Sequence, residues 1–364
     1  MKWSPQQDAA LAAVNAWLKA GDTQVFRLFG FAGTGKTTLA THIAETADGK
    51  VEFAAYTGKA AHVMRSRGCH GAGTIHSLIY RPRGEDENGP TFMLNDDSDL
   101  VKAALVIIDE ASMIDKEIGN DLLSFGVPVL VLGDPAQLPP VSGGGFFTEG
   151  EPDIMLTEVH RQAADNPIIR LSMTVREGGR LDNGVYGDSR VIGRDEVQAD
   201  DVTSADIALV GRNATRRNYN RRIRELAGFK QETPETGDAL VCLRNERKRG
   251  LLNGSLWTVA EVKARRRGLL RYTLTPQDGV GGTRNPLVSV NPAYFRGDTE
   301  SLTPSQRRRS DAFDYGYALT VHKAQGSQWD TVVLFDESWA FREHRARWLY
   351  TGITRAAERL VLVR

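Results

Sequence analysis

Two cysteines in 364 residues, Cys69 and Cys242, are too few for a disulfide framework or a four-ligand zinc site. No apolar run approaches the roughly 20 residues that a membrane-spanning helix needs. The opening Met1-Lys2-Trp3-Ser4-Pro5 carries no apolar signal core. These absences fit a reducing cytoplasm, that of a bacterial cell or of a phage-infected host, and no membrane partner. There is no internal repeat, and no heptad or broad apolar stripe, so a monomer is expected. There is also no excess of either charge: Lys+Arg and Asp+Glu both total 46. What remains is an ordinary globular composition, 41% hydrophobic and 25% charged, in a chain long enough for two or three domains.

The charges are unevenly spread. Acids gather at Glu85, Asp86, Glu87, Asp96, Asp97 and Asp99. Arginines gather at Arg212, Arg216, Arg217, Arg221, Arg222 and Arg224, then at 244–249, 265–267 and 307–309. Each run reads equally as a solvated face; together they also fit a surface that tracks phosphates.

The strongest local signal is Gly30-Phe31-Ala32-Gly33-Thr34-Gly35-Lys36-Thr37, a full G-x-x-x-x-G-K-[ST] phosphate loop. An apolar strand, Val25–Phe29, leads in and a helix, Lys36–Thr46, leads out. Glycines let backbone N–H groups turn toward phosphate oxygens, and the helix N-terminus adds partial positive charge. In that setting Lys36 would reach the β- and γ-phosphates and the Thr37 hydroxyl would hold Mg²⁺.

Around this loop the pattern alternates strand and helix. A Ser4-capped helix opens the chain and stops at Gly21. Strands are expected at Val51–Tyr56, Leu105–Ile108 and Val127–Leu132, which implies a parallel sheet covered by helices. Residues 81–99 break the rhythm around Asn88-Gly89-Pro90; a small projecting hairpin and an unstructured surface loop both satisfy them. A second alternating region begins with strand Ile207–Val210 and the arginine-rich helix Ala214–Leu226. Short β-like runs follow at Ala239–Leu243, Leu256–Val262, Leu269–Leu274 and Leu287–Val290, with turns at Asn253-Gly254 and 278–282. Residues 300–311 read as a polar, basic linker. The α/β pattern then returns with helix Thr320–Gln325, strand Thr331–Phe335, helix Arg345–Ala357 and strand Leu360–Val363.

Further chemistry lies at strand ends. Val106-Ile107-Ile108-Asp109-Glu110 puts two carboxylates after a buried strand, where Asp109 would serve Mg²⁺ and Glu110 would polarise a water. Val129–Leu132 leads into Gly133-Asp134-Pro135-Ala136-Gln137, and Gln137 is placed to sense a γ-phosphate. His160-Arg161-Gln162 and Thr354-Arg355 offer arginines that phosphoryl transfer could use, provided the nucleotide lies between domains.

Taken in order, the Gly30–Thr37 loop, Thr57-Gly58-Lys59-Ala60-Ala61, Gly73-Thr74-Ile75-His76-Ser77, Asp109-Glu110-Ala111-Ser112-Met113, the Gly133–Pro140 loop, Leu156–Gln162, Ala318–Ser327 and Tyr350–Ala356 resemble the B branch of superfamily 1 helicases, the RecD-like and Dda-like DNA helicases. The resemblance covers nearly the whole chain. It implies an α/β fold of two RecA-like P-loop NTPase domains, with a small hairpin insertion and an SH3-like β-barrel insertion. The first domain would span 1–165 and carry the pin hairpin at 81–99. The second would comprise 166–240 and 311–364, interrupted by the SH3-like insertion at 241–310.

The same resemblance implies ATP held by Gln7, Gly33, Thr34, Gly35, Lys36, Thr37, Thr38 and His160, with Mg²⁺ on Thr37 and Asp109. The catalytic set would be Lys36, Glu110, Gln137, Arg161 and Arg355. Single-stranded DNA would lie on Thr57, Lys59, Thr74, His76, Thr320, His322 and Gln325, with Phe92 on the pin against a duplex junction. The expected activity is ATP-dependent 5′→3′ unwinding of DNA, with replication or single-strand-binding proteins as partners. A nucleotide-gated single-strand-binding module and the motor subunit of a recombination nuclease complex are the alternatives. RNA in place of DNA also stays open, because phosphate contacts are blind to the sugar.

Overall fold

The computed structural model describes residues 3–86, 89–139, 145–159, 165–277 and 285–364. They form two compact units: Met1–Gly84 with Thr91–Arg180 and Ala346–Thr354, and Glu85–Pro90 with Leu181–Arg345 and Arg355–Arg364.

The first unit is built on a six-stranded sheet in the order β3-β2-β6-β7-β1-β8. Its strands are β1 (Val25–Gly30), β2 (Val51–Ala55), β3 (Gly73–Thr74), β6 (Leu105–Asp109), β7 (Val129–Gly133) and β8 (Ile154–Leu156). Every neighbouring pair runs parallel. Parallel strands are covered on both faces, so they read as unbroken apolar runs. Leu105 to Ile108 and Val129 to Leu132 are accordingly at most 1% exposed. Each such side chain contributes about 1.5–3 kcal/mol by leaving water. Helix Pro5–Ala20 packs Ala10, Val14 and Trp17 into this core. Ser4 and Gln7 close a reciprocal capping box at its start, and Gly21 ends it at φ 61°. Between β3 and β6 the chain forms a two-stranded sheet, β4 (Tyr80–Asp86) and β5 (Gly89–Leu94). Of the turn expected there, Asn88 lies outside the described residues.

The second unit repeats the plan with the order β17-β11-β18-β19-β10-β9. Its strands are β9 (Gly184–Tyr186), β10 (Ser189–Ile192), β11 (Ile207–Val210), β17 (Ala318–Thr320), β18 (Trp329–Phe335) and β19 (Ala356–Val363). Only the edge strand β9 is antiparallel. The β-like stretch forms a separate five-stranded antiparallel sheet, β15-β14-β13-β12-β16. Its strands are β12 (Ala239–Cys242), β13 (Leu256–Arg266), β14 (Leu269–Pro276), β15 (Leu287–Val290) and β16 (Phe313–Tyr315). Trp257, Tyr272, Leu274 and Phe313 fill its core. The turn expected at 278–282 lies outside the described residues. Among the described residues no helix is long and apolar enough to cross a membrane.

Three sequence expectations change. The stretch 300–311 is not an irregular linker: Thr303 caps a short helix, Pro304–Arg308, through a capping box with Gln306. Ser310 beyond it is buried, with its hydroxyl accepting the Asn291 N–H. The last helix stops at Ile353 and β19 begins at Ala356, because Ala356 pairs with Trp329 in the β18 ladder. The second β run of the insertion extends four residues beyond Val262, to Arg266.

The arginine-rich helix, Asn213–Leu226, divides its charges by face. Arg216 and Arg224 are buried while Arg217, Arg221 and Arg222 face solvent. Arg216 donates to Asp314 at 2.7 Å. Arg224 forms a two-pronged pair with Asp238, at 2.7 and 2.8 Å, and donates to the Gln231 carbonyl at 2.9 Å. Asp238, fully buried, also accepts the Tyr317 hydroxyl and the Glu235 N–H. These two arginines therefore hold the helix to the antiparallel sheet and take no part in a phosphate-tracking surface. Asp238→Asn leaves a buried guanidinium with only the Glu235 carboxylate, 3.9 Å away, as counter-charge and should lower the stability of the second unit by about 3–5 kcal/mol. Urea unfolding measures it, and a loss under about 1 kcal/mol would refute the pairing's structural role.

Candidate functional site

In the first unit the parallel register gathers one set of loops at the carboxyl edge of the sheet. Ala55 lies opposite both Thr74 and Asp109, and Phe29 opposite Gly133. The loops after β1, β2, β3, β6 and β7 therefore leave from the same edge, where open α/β sheets place ligands.

The phosphate loop needs its glycines. Gly33 and Gly35 sit at φ 80° and 81°. At Gly30 a Cβ would stand 2.7 Å from Thr34 Oγ1 and 2.8 Å from the Leu156 side chain. Gly35 caps the 11-residue helix Lys36–Thr46 without any side-chain acceptor, so that helix N-terminus is left for an anion. Lys36 Nζ turns back onto the loop, 2.6 Å from the Gly30 carbonyl and 3.0 Å from that of Phe31. The Thr37 hydroxyl stands 3.5 Å from Asp109 Oδ2, too long for a strong hydrogen bond. Both are hard oxygen donors of the kind Mg²⁺ takes. Asp109 Oδ1 accepts the Glu110 N–H at 2.8 Å, and Glu110 itself is held in the left-handed region at φ 55°. For a non-glycine residue that conformation costs roughly 1–2 kcal/mol. Gln137 Oε1 is buried with no hydrogen-bond partner among the described residues. An orphaned buried acceptor costs about 1–3 kcal/mol unless a ligand meets it. The cradle and the Lys36 ammonium fit a nucleoside triphosphate, while the Gln137 acceptor fits a donor such as a water beside it.

Gln7 is 2% exposed, and its amide is engaged within the protein: Nε2 donates to the Thr34 carbonyl at 3.1 Å and Oε1 accepts the Ser4 N–H. It thereby braces the phosphate loop from the opening helix. His160 and Arg161 lie outside the described residues. Arg355, in the second unit, is 5% exposed and donates to the Ser327 carbonyl at 3.1 Å.

Two contributors near the loop carry no local sequence signal. Tyr350, which groups with the first unit, accepts the Ala32 N–H at 2.9 Å and donates to Asp134 Oδ2 at 2.7 Å. Burial foremost, then the Asp134 charge, pushes its phenol far above the ordinary range and keeps it a donor. Arg176 stacks over the Phe31 ring, 3.8 Å from its centroid.

The residues expected to meet a polynucleotide share one device. Thr57, Thr74 and Thr320 each cap a helix, accepting the N–H of Ala60, Ser77 and Lys323 respectively. Lys59 is buried at 4% exposure, as is Gln325 at 3%. His76 packs against Tyr80 and, edge to face at 4.4 Å, against Phe92, which remains 43% exposed. In the second unit His322 lies against Phe341, and burial, then His344, lowers its pKa so that the neutral ring prevails. Glu337 is 3% exposed and gathers the N–H groups of Gly211 and Arg212, the Arg212 side chain and the Thr215 hydroxyl. Burial alone would raise its pKa, but those hydrogen bonds outweigh it and hold the carboxylate ionised. Two residues on, Trp339 is 56% exposed, with the Arg212 guanidinium 5.0 Å from its ring. The sequence reading passed over Trp339, since a lone tryptophan in a polar segment has no spacing to mark it.

Comparison with known proteins follows the same lines. The AAA domain family model matches residues 2–192, just over half of the chain, and the UvrD-like helicase C-terminal domain model matches 315–363. The chain is similar to the ATP-dependent RecD2 DNA helicase of Deinococcus radiodurans, 28% identical over 91% of this chain and 46% of that protein. It is also similar to the ATP-dependent DNA helicase dda of phage T4, 35% identical over 41% of this chain and 37% of that one. The ATP-dependent DNA helicase Pif1 of Bdellovibrio bacteriovorus is 26% identical over 90% of this chain and 81% of its own length. The chain thus spans less than half of RecD2 and of dda. Among solved structures, Pif1 from Candida albicans superimposes with a TM-score of 0.59 at 18% identity, over 100% of this chain and 94% of that one. A Pif1 studied at forked double-stranded DNA gives 0.59 at 20% identity, over 99% and 92%. These structures establish the shared two-domain α/β fold. The chain belongs to the AAA domain family and is a superfamily 1 helicase of the RecD/Pif1 type.

Proposed function

We propose that the chain hydrolyses ATP to translocate 5′→3′ on single-stranded DNA and to open the duplex ahead. The observation that carries this reading is the carboxyl edge of the first sheet. There the phosphate loop, the Asp109-Glu110 pair and the capping threonines Thr57 and Thr74 leave from one row of strand ends. One edge can therefore feel both a triphosphate and a polynucleotide. The relatives' names, all ATP-dependent DNA helicases, support the same activity.

In this reading Gly33, Thr34, Gly35, Lys36, Thr37 and Thr38 hold the phosphates. Lys36 leaves the Gly30 and Phe31 carbonyls for the β- and γ-oxygens, and Gln137 senses the γ-phosphate by donating its amide N–H, with Oε1 left to accept from a water. Thr37 and Asp109 would hold Mg²⁺, which neutralises charge on the phosphate oxygens. Glu110 orients the attacking water, its carboxylate fixed by an unusual backbone. His76, Lys59, His322 and Gln325 join the capping threonines as phosphate and sugar contacts that read no sequence. Trp339 offers a ring face on which a base stacks. The five-stranded sheet takes the part of the SH3-like barrel, and the β4–β5 hairpin with Phe92 that of the strand-separating pin.

Four outcomes test this. Lys36→Ala should abolish ATPase activity, and Glu110→Gln should bind ATP yet hydrolyse it at least about a hundredfold more slowly; normal turnover in either would remove its assignment. Trp339→Ala should raise the oligonucleotide concentration for half-maximal ATPase stimulation by about tenfold, since one base stack is worth about 1–3 kcal/mol; an unchanged half-saturation would remove the stacking role. A partial duplex with a 5′ tail should be opened in an ATP-dependent manner and one with a 3′ tail left closed. Opening of neither, or of the 3′-tailed substrate alone, would overturn the reading.

A further inference from the structure

The arginine runs divide once their partners are seen, and outside the 265–267 run only Arg217, Arg308 and Arg309 of these runs are likewise exposed with no side-chain hydrogen bond or ion pair among the described residues. Arg224 and Arg216 are spent on Asp238 and Asp314. Arg249 is spent on Asp311, Glu246 and the Leu287 carbonyl. Arg244 and Arg307 donate to backbone carbonyls. Arg265, Arg266 and Arg267 make no hydrogen bond or ion pair among the described residues, and all three are exposed.

These three lie at the end of a ribbon. β13 is buried or half-buried from Leu256 to Val259 and wholly exposed from Ala260 to Arg266. There it pairs with β14 alone, whose Leu270–Thr273 pair in turn with β15, so the exposed stretch is an edge of the sheet that ends in the β13–β14 turn. Along it stand five cations, Lys263, Arg265, Arg266, Arg267 and Arg271, against one acid, Glu261.

The ribbon is arranged against its own stability in two ways. Lys263 and Arg271 are directly opposite each other across the strands, and facing like charges weaken a strand pair, here offset in part by the Lys263–Glu261 ion pair. The two-residue turn is Arg267-Gly268, both at positive φ, 52° and 79°. At the first position asparagine or aspartate is the low-cost choice, and an arginine there is held in a disfavoured conformation. Departures of this kind from local preference mark positions selected for something other than folding.

We propose that this ribbon is a binding surface for the phosphate backbone of duplex nucleic acid. A polyanion relieves the repulsion that the free protein carries. The ribbon has no exposed aromatic ring between Glu261 and Arg271, so it lacks the stacking platforms that single-strand sites use. It offers charge alone, and a duplex presents the denser charge, about one per 1.7 Å of axis. The site takes any sequence, because these guanidinium groups meet phosphates and not base edges. The proposal extends the helicase reading by supplying a grip on the unopened duplex.

The test is fluorescence anisotropy with a blunt duplex and with a single-stranded oligonucleotide of equal length, over a range of salt. The variant combines Arg265→Gln, Arg266→Gln and Arg267→Gln. Duplex affinity should fall about tenfold or more and the slope of log affinity on log salt should lessen by about 2–3, while single-strand affinity holds. Unchanged duplex affinity would overturn the proposal and leave an acidic protein as the ribbon's partner. Equal loss on both probes would overturn it in favour of a single-strand path. Arg267→Asn guards against a purely structural effect: it should weaken duplex binding with the melting temperature kept or raised, and a lowered melting temperature with intact duplex binding would overturn the proposal. Should the native chain lack polynucleotide-stimulated ATPase activity, the helicase reading fails, yet the duplex measurement still decides the ribbon's role.

Discussion

Parallel strand pairing is the constraint on which the rest depends. Because β1, β2, β3, β6 and β7 point the same way, every loop that follows them must emerge at one edge. Residues as far apart as Gly33, Thr57, Thr74, Glu110 and Gln137 are thereby made neighbours of one edge with no dedicated contact to bring them there. The cost is a set of strands with no solvent face, satisfied by Leu105 to Ile108 and Val129 to Leu132. The second sheet obeys the same rule for β11, β17 and β18, and its loops carry Arg212, Thr320 and Trp339.

On that frame, backbone strain is concentrated where chemistry is proposed. Three described non-glycine residues have positive φ: Glu110, Arg267 and Arg342. Glu110 is the proposed water-orienting carboxylate, Arg267 tips the basic ribbon, and Arg342 follows the Phe341 that packs on His322. The orphaned Gln137 acceptor lies at the same edge as Glu110. Two buried carboxylates are closed off: Glu337 takes four donors, and Asp238 binds an arginine, a tyrosine hydroxyl and a backbone N–H.

Much of the fold was legible because its signals are local. A capping box at Ser4, a glycine stop at Gly21, continuous apolar runs for buried strands and a glycine-rich loop before Lys36 each declare themselves within a few residues. The short strands β8, β9 and β10 went unread, since three or four residues give no period. The same limit applies to Tyr350 and Arg176, which reach the phosphate loop from positions far along the chain.

What the sequence alone determined was the chemistry: a phosphate loop, a pair of carboxylates at a strand end, hydroxyls ready to cap helices, and the order that marks a helicase. Those are properties of residue type and near spacing, which survive without a fold. Only the tertiary structure decided which charges are available. Arg224 and Arg266 are equivalent as letters in two basic runs. One is buried against Asp238 and the other stands in water at a hairpin tip, because a guanidinium's role depends on the carboxylates that folding brings within reach.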